Sequence, residues 1–178
     1  MATRARARLL DTAEDLFYAE GVRAVGVERI LAESGVGRAS FYRHFASKDD
    51  LVVAVLRQRD ERWREWLRDA VERHGGGPLA VFDALAERFA RADFRGCAFI
   101  NTMVEAADPG SPAHRAAADH KRAVADYVAG LLGDRPDAAE VARRVVMLMD
   151  GAIVTALRER TVEPARQARE VAALLLST

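Results

Sequence analysis

The sequence of 178 residues predicts an all-α protein of about nine helices. Apolar residues return every three or four positions through most of the chain, the period of one helix face. Glycine and proline punctuate these segments where helices would stop and start. No convincing strand, internal repeat or low-complexity segment interrupts them. With 50% hydrophobic and 30% charged residues, the composition is that of a soluble globular protein, one domain or two small ones.

The first helix is expected over Arg4 to Glu20, with Leu9, Ala13, Leu16 and Phe17 on one face and Gly21 ending it. Val27, Ile30, Leu31 and Ser34 predict a second helix of about two turns, closed by Gly35. A third begins near Gly37 or Arg38 and carries Phe41, Tyr42 and Phe45. Two short helices joined by a tight glycine turn, behind a longer one, form a helix-turn-helix unit. Ser47 and Asp50 resemble a capping box for a long fourth helix through Leu51, Val55, Trp63, Trp66 and Val71, which breaks at the HGGGP segment at 74–78.

Pro78 is expected at the first position of a fifth helix bearing Leu79, Phe82, Leu85, Ala86 and Phe89. GCAFINTMVEAA predicts a sixth, and Ala117, His120, Val124, Tyr127, Val128 and Leu131 a seventh that ends at Gly133. Asp137 and Glu140 stand in capping positions for an eighth, which holds the most apolar stretch of the chain, VVMLMDGAIVTAL. Pro164 starts a ninth, with Ala168, Val171, Ala172 and Leu175 expected on its buried stripe.

Several function classes are excluded or disfavoured. No run reaches the roughly 18 to 20 apolar residues of a membrane span, and the N-terminus lacks the pattern of a secretory signal, so a cytoplasmic location and no membrane partner are expected. Cys97, the only cysteine, excludes an internal disulfide framework and is expected to be a small buried hydrophobe. His44, His74, His114 and His120 are spaced without a metal template, and neither a Gly-rich phosphate loop nor a nucleophile–base pair around Cys97 or Ser111 is evident. An enzyme is therefore disfavoured, and no cofactor or metal is expected. The formal net charge is zero, so any affinity for nucleic acid must come from where the charge sits.

It sits conspicuously in GVGRASFYRHFASK, residues 35–48. An α-helix fits the DNA major groove, and the second helix of a helix-turn-helix presents its N-terminal residues to base edges while its neighbours hold phosphates. Arg38, opening the third helix, is the side chain expected against a base, where guanidinium pairs with guanine. Ser40 is small enough for close backbone approach, while Tyr42, Arg43, His44 and Lys48 offer donors to phosphates. Arg4, Arg6 and Arg8 form a candidate basic arm. The competing explanation is a merely solvated basic face. It is weakened because the donors and the core aromatics Phe41 and Phe45 share one helix after a glycine turn.

The span 9–56 resembles the N-terminal domain of the TetR family of bacterial transcriptional regulators. Ala13, Leu16, Phe17, Gly21, Val27, Ile30, Gly35, Val36, Tyr42, His44, Phe45, Lys48 and Leu51 match its pattern at the right spacing. The resemblance implies that Gly26, Val27, Gly37 and Ala39 join the donors on the DNA face, with residues 1–48 as DNA-binding domain and 49–178 as a helical ligand-binding and dimerisation domain. Gly26 and Gly37 depart from the family's usual threonine and serine, losing hydroxyls that would cap helices and touch phosphate. Glu28 lies near the same face. There it repels phosphate unless it accepts from a cytosine amino group or pairs with Arg29; a simple exposed helix charge is the plainer expectation.

The resemblance further implies a ligand-responsive regulator, most often a repressor. Binding of a small molecule between helices four to eight moves helix four and shifts the population away from the DNA-competent state. Candidate pocket residues are Trp63, Trp66, Phe82, Phe89, Phe99, Asn101, Met103, His120, Tyr127 and Met147, each also explicable as ordinary core. In helix eight, Val141, Val145, Leu148, Met149, Ala152, Ile153, Ala156 and Leu157 form a stripe too broad for one neighbour, and Gly151 permits close approach of another helix. With Val171 and Leu175 of helix nine they are expected to form a four-helix homodimer interface, burial within the protomer being the alternative. Asp150 amid that stripe must find a partner or face water. A two-fold dimer would read a palindromic operator. A helical adaptor that has lost DNA binding is the other class to weigh, with Gly26 and Gly37 its only support.

Overall fold

A computed structural model describes residues 2–106 and 108–177. The described residues form nine helices: α1 (Ala2–Glu20), α2 (Val27–Ser34), α3 (Arg38–His44), α4 (Lys48–Arg73), α5 (Ala80–Phe89), α6 (Ala98–Glu105), α7 (Pro112–Leu131), α8 (Ala138–Glu159) and α9 (Glu163–Leu176). They group into two compact units, one of Met1–Glu61 with Ala98–Ala118, the other of Arg62–Cys97 with Asp119–Thr178. The compact units thus do not divide at 48/49. Leu51, Val52, Val55 and Leu56 on the first half of α4 are buried and fall in the first unit, as does α6 with its buried Phe99 and Thr102.

In the first unit the apolar period of α1 places Leu9, Leu10, Ala13, Leu16 and Phe17 inside, beside Ile30 of α2 and Phe41 of α3. Phe41 is fully buried, a burial that stabilises the fold by roughly 2–3 kcal/mol. Two residues of α4, Arg59 and Gln58, anchor it to α1. Arg59 donates to Glu14 at 2.8 Å, with both side chains largely buried, and its guanidinium lies over the Tyr18 ring at 4.3 Å; Gln58 donates to Asp11 at 3.2 Å.

In the second unit, the core comprises buried residues of α5, α8 and α9 with Leu67, Ala70 and Val71 of α4 and Val124 and Val128 of α7. Cys97 is half-buried against it, not fully enclosed. Asp150 finds its partner in Lys121 of α7, in a partly buried ion pair.

Two helix starts differ from expectation. Pro78 stands in the turn before α5, which begins at Ala80, because the Ala80 N–H bonds to the Gly77 carbonyl at 3.0 Å and tightens the entry. Asp137 precedes α8 without capping it, since Arg135 draws its carboxylate away through contacts of 2.9 and 3.2 Å. Among the described residues no helix is long and apolar enough to cross a membrane.

Candidate nucleic-acid interface

The turn between α2 and α3 is built by residues with specific backbone needs. Gly35 ends α2 at φ 62°, a left-handed conformation that costs glycine nothing and other residues strain. Buried Ser34 pins the turn, its hydroxyl donating to the Leu31 carbonyl at 3.4 Å and accepting from the Val36 N–H at 3.3 Å. Gly37 then starts α3, its carbonyl accepting from Ser40 and Phe41 at 2.9 and 3.1 Å. Below, the buried Phe41 and Phe45 rings pack at 5.9 Å and fix which face of α3 points inward, while the exposed Tyr42 ring meets Phe41 edge-on at 5.1 Å from the outer side.

The opposite face carries the donors. Arg38, Ala39, Tyr42 and Arg43 are exposed, and Ser40, His44 and Lys48 half-exposed. Lys48 lies 6.0 Å from the centre of the Phe17 ring. Gly26 and Gly37 are exposed N-caps without side-chain caps; Val27 is half-buried. Arg4, Arg6 and Arg8 are not an extended arm: they belong to helix α1, where backbone hydrogen bonding continues toward the N-terminus. Arg6 lies over the Phe45 ring at 5.6 Å, and an Arg8 nitrogen approaches the Gly35 turn, so two of the three reach the helix-turn-helix itself.

Glu28 does not pair with Arg29, which instead bonds Glu33 at 2.9 Å one turn along and approaches Glu20 at 3.5 Å. Its carboxylate pairs with Arg38 across the turn. The plainer sequence expectation, an unpaired exposed helix charge, is thereby corrected: the partner is ten positions away, at the start of the next helix.

Sequence reasoning missed Glu105. This last residue of α6 accepts a hydrogen bond from the backbone N–H of Arg23, in the turn between α1 and α2, at 2.7 Å. Gly21, at φ 94°, makes room, because a Cβ there would stand 3.1 Å from the Glu105 carboxylate. A small cavity of about 20 Å³, enough for about one water, lies in the same unit among Phe17, Tyr18, Arg59, Asn101, Thr102 and Glu105.

The candidate pocket residues fall in both units. Phe99, Asn101 and Met103 belong to the first, with Phe99 buried. In the second, Phe82, Phe89 and His120 are buried and Trp63, Trp66 and Tyr127 partly so. Trp63 stacks edge-on against His120 at 5.0 Å and tilts against Trp66 at 6.0 Å; burial pushes the Tyr127 hydroxyl up in pKa. Met147 does not join them: it is 73% exposed.

The interface residues of α8 are also corrected. Val141, Val145, Met149, Ala152, Ile153 and Ala156 lie buried in the protomer's own core, because α5 and α9 cover that stripe. The outward face of α8 is instead Met147, Gly151 and Val154, with Leu157 at its edge. In α9, Val171 lies outside the buried stripe at 47% exposure, Leu174 is 71% exposed and Leu175 half-buried.

An all-helical chain whose α2–α3 turn, aromatic floor and cationic outer face take this form is a DNA-binding transcriptional regulator of helix-turn-helix type. Residues 9–55 match the pattern described as bacterial regulatory proteins, tetR family. The TetR-family transcriptional regulator SCO4454 from Streptomyces coelicolor is 36% identical, with 99% of this chain and 97% of that one covered at a TM-score of 0.84. The chain therefore belongs to the TetR family, whose members are regulators and not enzymes. Escherichia coli NemR in its reduced form shares the fold, at 22% identity, TM-score 0.84 and 94% coverage of both chains. An uncharacterized HTH-type transcriptional regulator of Lactococcus lactis subsp. lactis is 23% identical over 135 residues, 71% of this chain and 69% of the relative.

Proposed function

We propose that the protein is a ligand-responsive repressor that acts in the cytoplasm, binds a palindromic operator as a homodimer and is released by a small-molecule effector. The observation that carries this is the exposed donor face of α3 over the buried Phe41 and Phe45. Residues 1–48 read DNA, with Arg38 at a base edge and Ser40, Tyr42, Arg43, His44 and Lys48 near phosphates. Residues 49–178 bind effector and partner.

Family membership and the exposed apolar faces of α8 and α9 support the homodimer. Met147, Val154, Val171 and Leu174 are large apolar side chains left in water by the protomer, and Gly151 beside them lets a second helix approach closely. The effector side rests on family membership and on the ring contacts of Trp63 with Trp66 and His120, with Tyr127 partly buried against the core of the same unit. An effector that displaces α6 acts on the reading head through Glu105.

The test is a titration of the full-length protein against duplex fragments from its own upstream region at several salt concentrations, with Arg43→Ala and Lys48→Ala alongside. Saturable binding that withstands competitor DNA, weakened in each variant with a shallower salt dependence, is expected. Binding equally weak to every fragment and indifferent to both variants would overturn the reading.

A further inference from the structure

Around Glu28 and Arg38 the first turns of α2 and α3 and their caps carry mostly small side chains, Arg29 being the other long exposed one, held by Glu33 and Glu20. Gly26, Val27, Gly37, Ala39 and Ser40 are small, and a Cβ at either glycine would meet nothing within 4 Å. From this low ground project Glu28 and Arg38, with side chains 70% and 59% exposed and bonded to each other. An ion pair so exposed is worth only about 0–1 kcal/mol to folding, so the fold does not depend on it.

The bond engages one terminal nitrogen of Arg38 and one oxygen of Glu28. The rest of the guanidinium fork still offers N–H donors, and the second carboxylate oxygen has no partner among the described residues. The pair therefore presents donors beside an acceptor. In the major groove a G·C pair presents the reverse, the guanine N7 and O6 acceptors beside the cytosine N4 amino donor. An A·T pair places the adenine N6 donor where Arg38 would donate, and the thymine O4 acceptor where Glu28 would accept.

We infer that Glu28 and Arg38 act together as a reader of one G·C pair in each operator half-site, Arg38 taking the guanine and Glu28 rejecting A·T. This rests on the proposed reading of α3 as the recognition helix. Glu28 is a specificity-determining residue whose charge lowers affinity for DNA in general, by repelling phosphate, and sharpens the choice of base.

The test is selection from random duplex DNA with full-length wild type, Glu28→Gln and Arg38→Ala, followed by titration of the enriched site and of the same site carrying A·T at the fixed G·C position. Wild type is expected to enrich one G·C per half-site and to lose roughly 10- to 100-fold in affinity on the A·T change. Glu28→Gln, whose amide can donate to thymine O4, should bind random DNA more tightly and lose several-fold less on the same change. Arg38→Ala should bind both sites alike. An enriched site whose base preferences are unchanged in both variants would overturn the paired reader and leave DNA recognition standing. Enrichment of no sequence by wild type would overturn the recognition helix and the paired reader together. Because both side chains are exposed, unchanged circular dichroism is expected in each variant.

Discussion

The backbone N–H of Arg23 bonds to the carboxylate of Glu105 at 2.7 Å, joining residues 82 positions apart in sequence. Glu105→Ala removes the acceptor, and chemical denaturation should show a loss of about 1 kcal/mol. Gly21→Ala should cost more, about 1–3 kcal/mol, since it combines a positive φ with crowding of the same carboxylate. Wild-type stability in both variants would show that the contact holds nothing.

The Arg59–Glu14 pair is largely buried and the same guanidinium covers the Tyr18 ring, so removing Arg59 takes away both contacts at once. Arg59→Ala should destabilise by about 3 kcal/mol, and adding Glu14→Gln should recover part of that. A double variant less stable than the single would contradict this account.

The corrected outer face of α8 and α9 separates association from folding. Val154→Glu and Leu174→Glu should yield folded monomers by analytical ultracentrifugation. Met149→Ala should instead lower stability by about 2–5 kcal/mol, because that side chain fills the protomer's core. Dimers that survive both glutamate substitutions would place the interface elsewhere.

Gly37 has an extended backbone at φ −67° and ψ 149°, open to any residue, and no neighbour within 4 Å of a Cβ. Gly37→Ser should therefore raise the melting temperature slightly through N-capping of α3 and tighten DNA binding through a hydroxyl at the phosphate face. Weaker binding would mean that the glycine is needed for close approach.

Glu87 is held below its ordinary carboxyl range, first by its hydrogen bond to His74 at 2.7 Å and then by Arg73 at 2.9 Å. A depressed folded-state pKa stabilises the protein above the ordinary glutamate range, and the contribution is lost as pH falls through the lowered value. Carboxyl-carbon NMR should place the Glu87 midpoint below that of an unstructured peptide, and Glu87→Gln should flatten the acid limb of stability. An ordinary midpoint would remove the effect.

Much of the reading head was legible because its signals are local. The apolar period of α1, the Gly35 stop and the Ser47 cap, which accepts the Asp50 N–H at 3.1 Å, all act within a turn or two. The face of α8 was not legible, since both sides of that helix carry apolar residues and only the position of α5 and α9 decides which is covered. For Glu28 the sequence offered only its neighbour Arg29, because the actual partner, Arg38, lies ten positions away on another helix. Glu105 gave no local sign at all, because its partner is a backbone amide in another segment.

The unit that holds the helix-turn-helix is assembled from two separated pieces of chain, Met1–Glu61 and Ala98–Ala118. During synthesis the first piece leaves the ribosome while Phe99, Thr102 and Glu105 are still to be made. Until residues 98–118 have also been translated, the Arg23 N–H has no Glu105 carboxylate to bond and the unit is short of Phe99 and Thr102. Its birth is thereby tied to that of the segment that follows it, and fragments ending before Ala98 should emerge as incomplete, protease-sensitive chains.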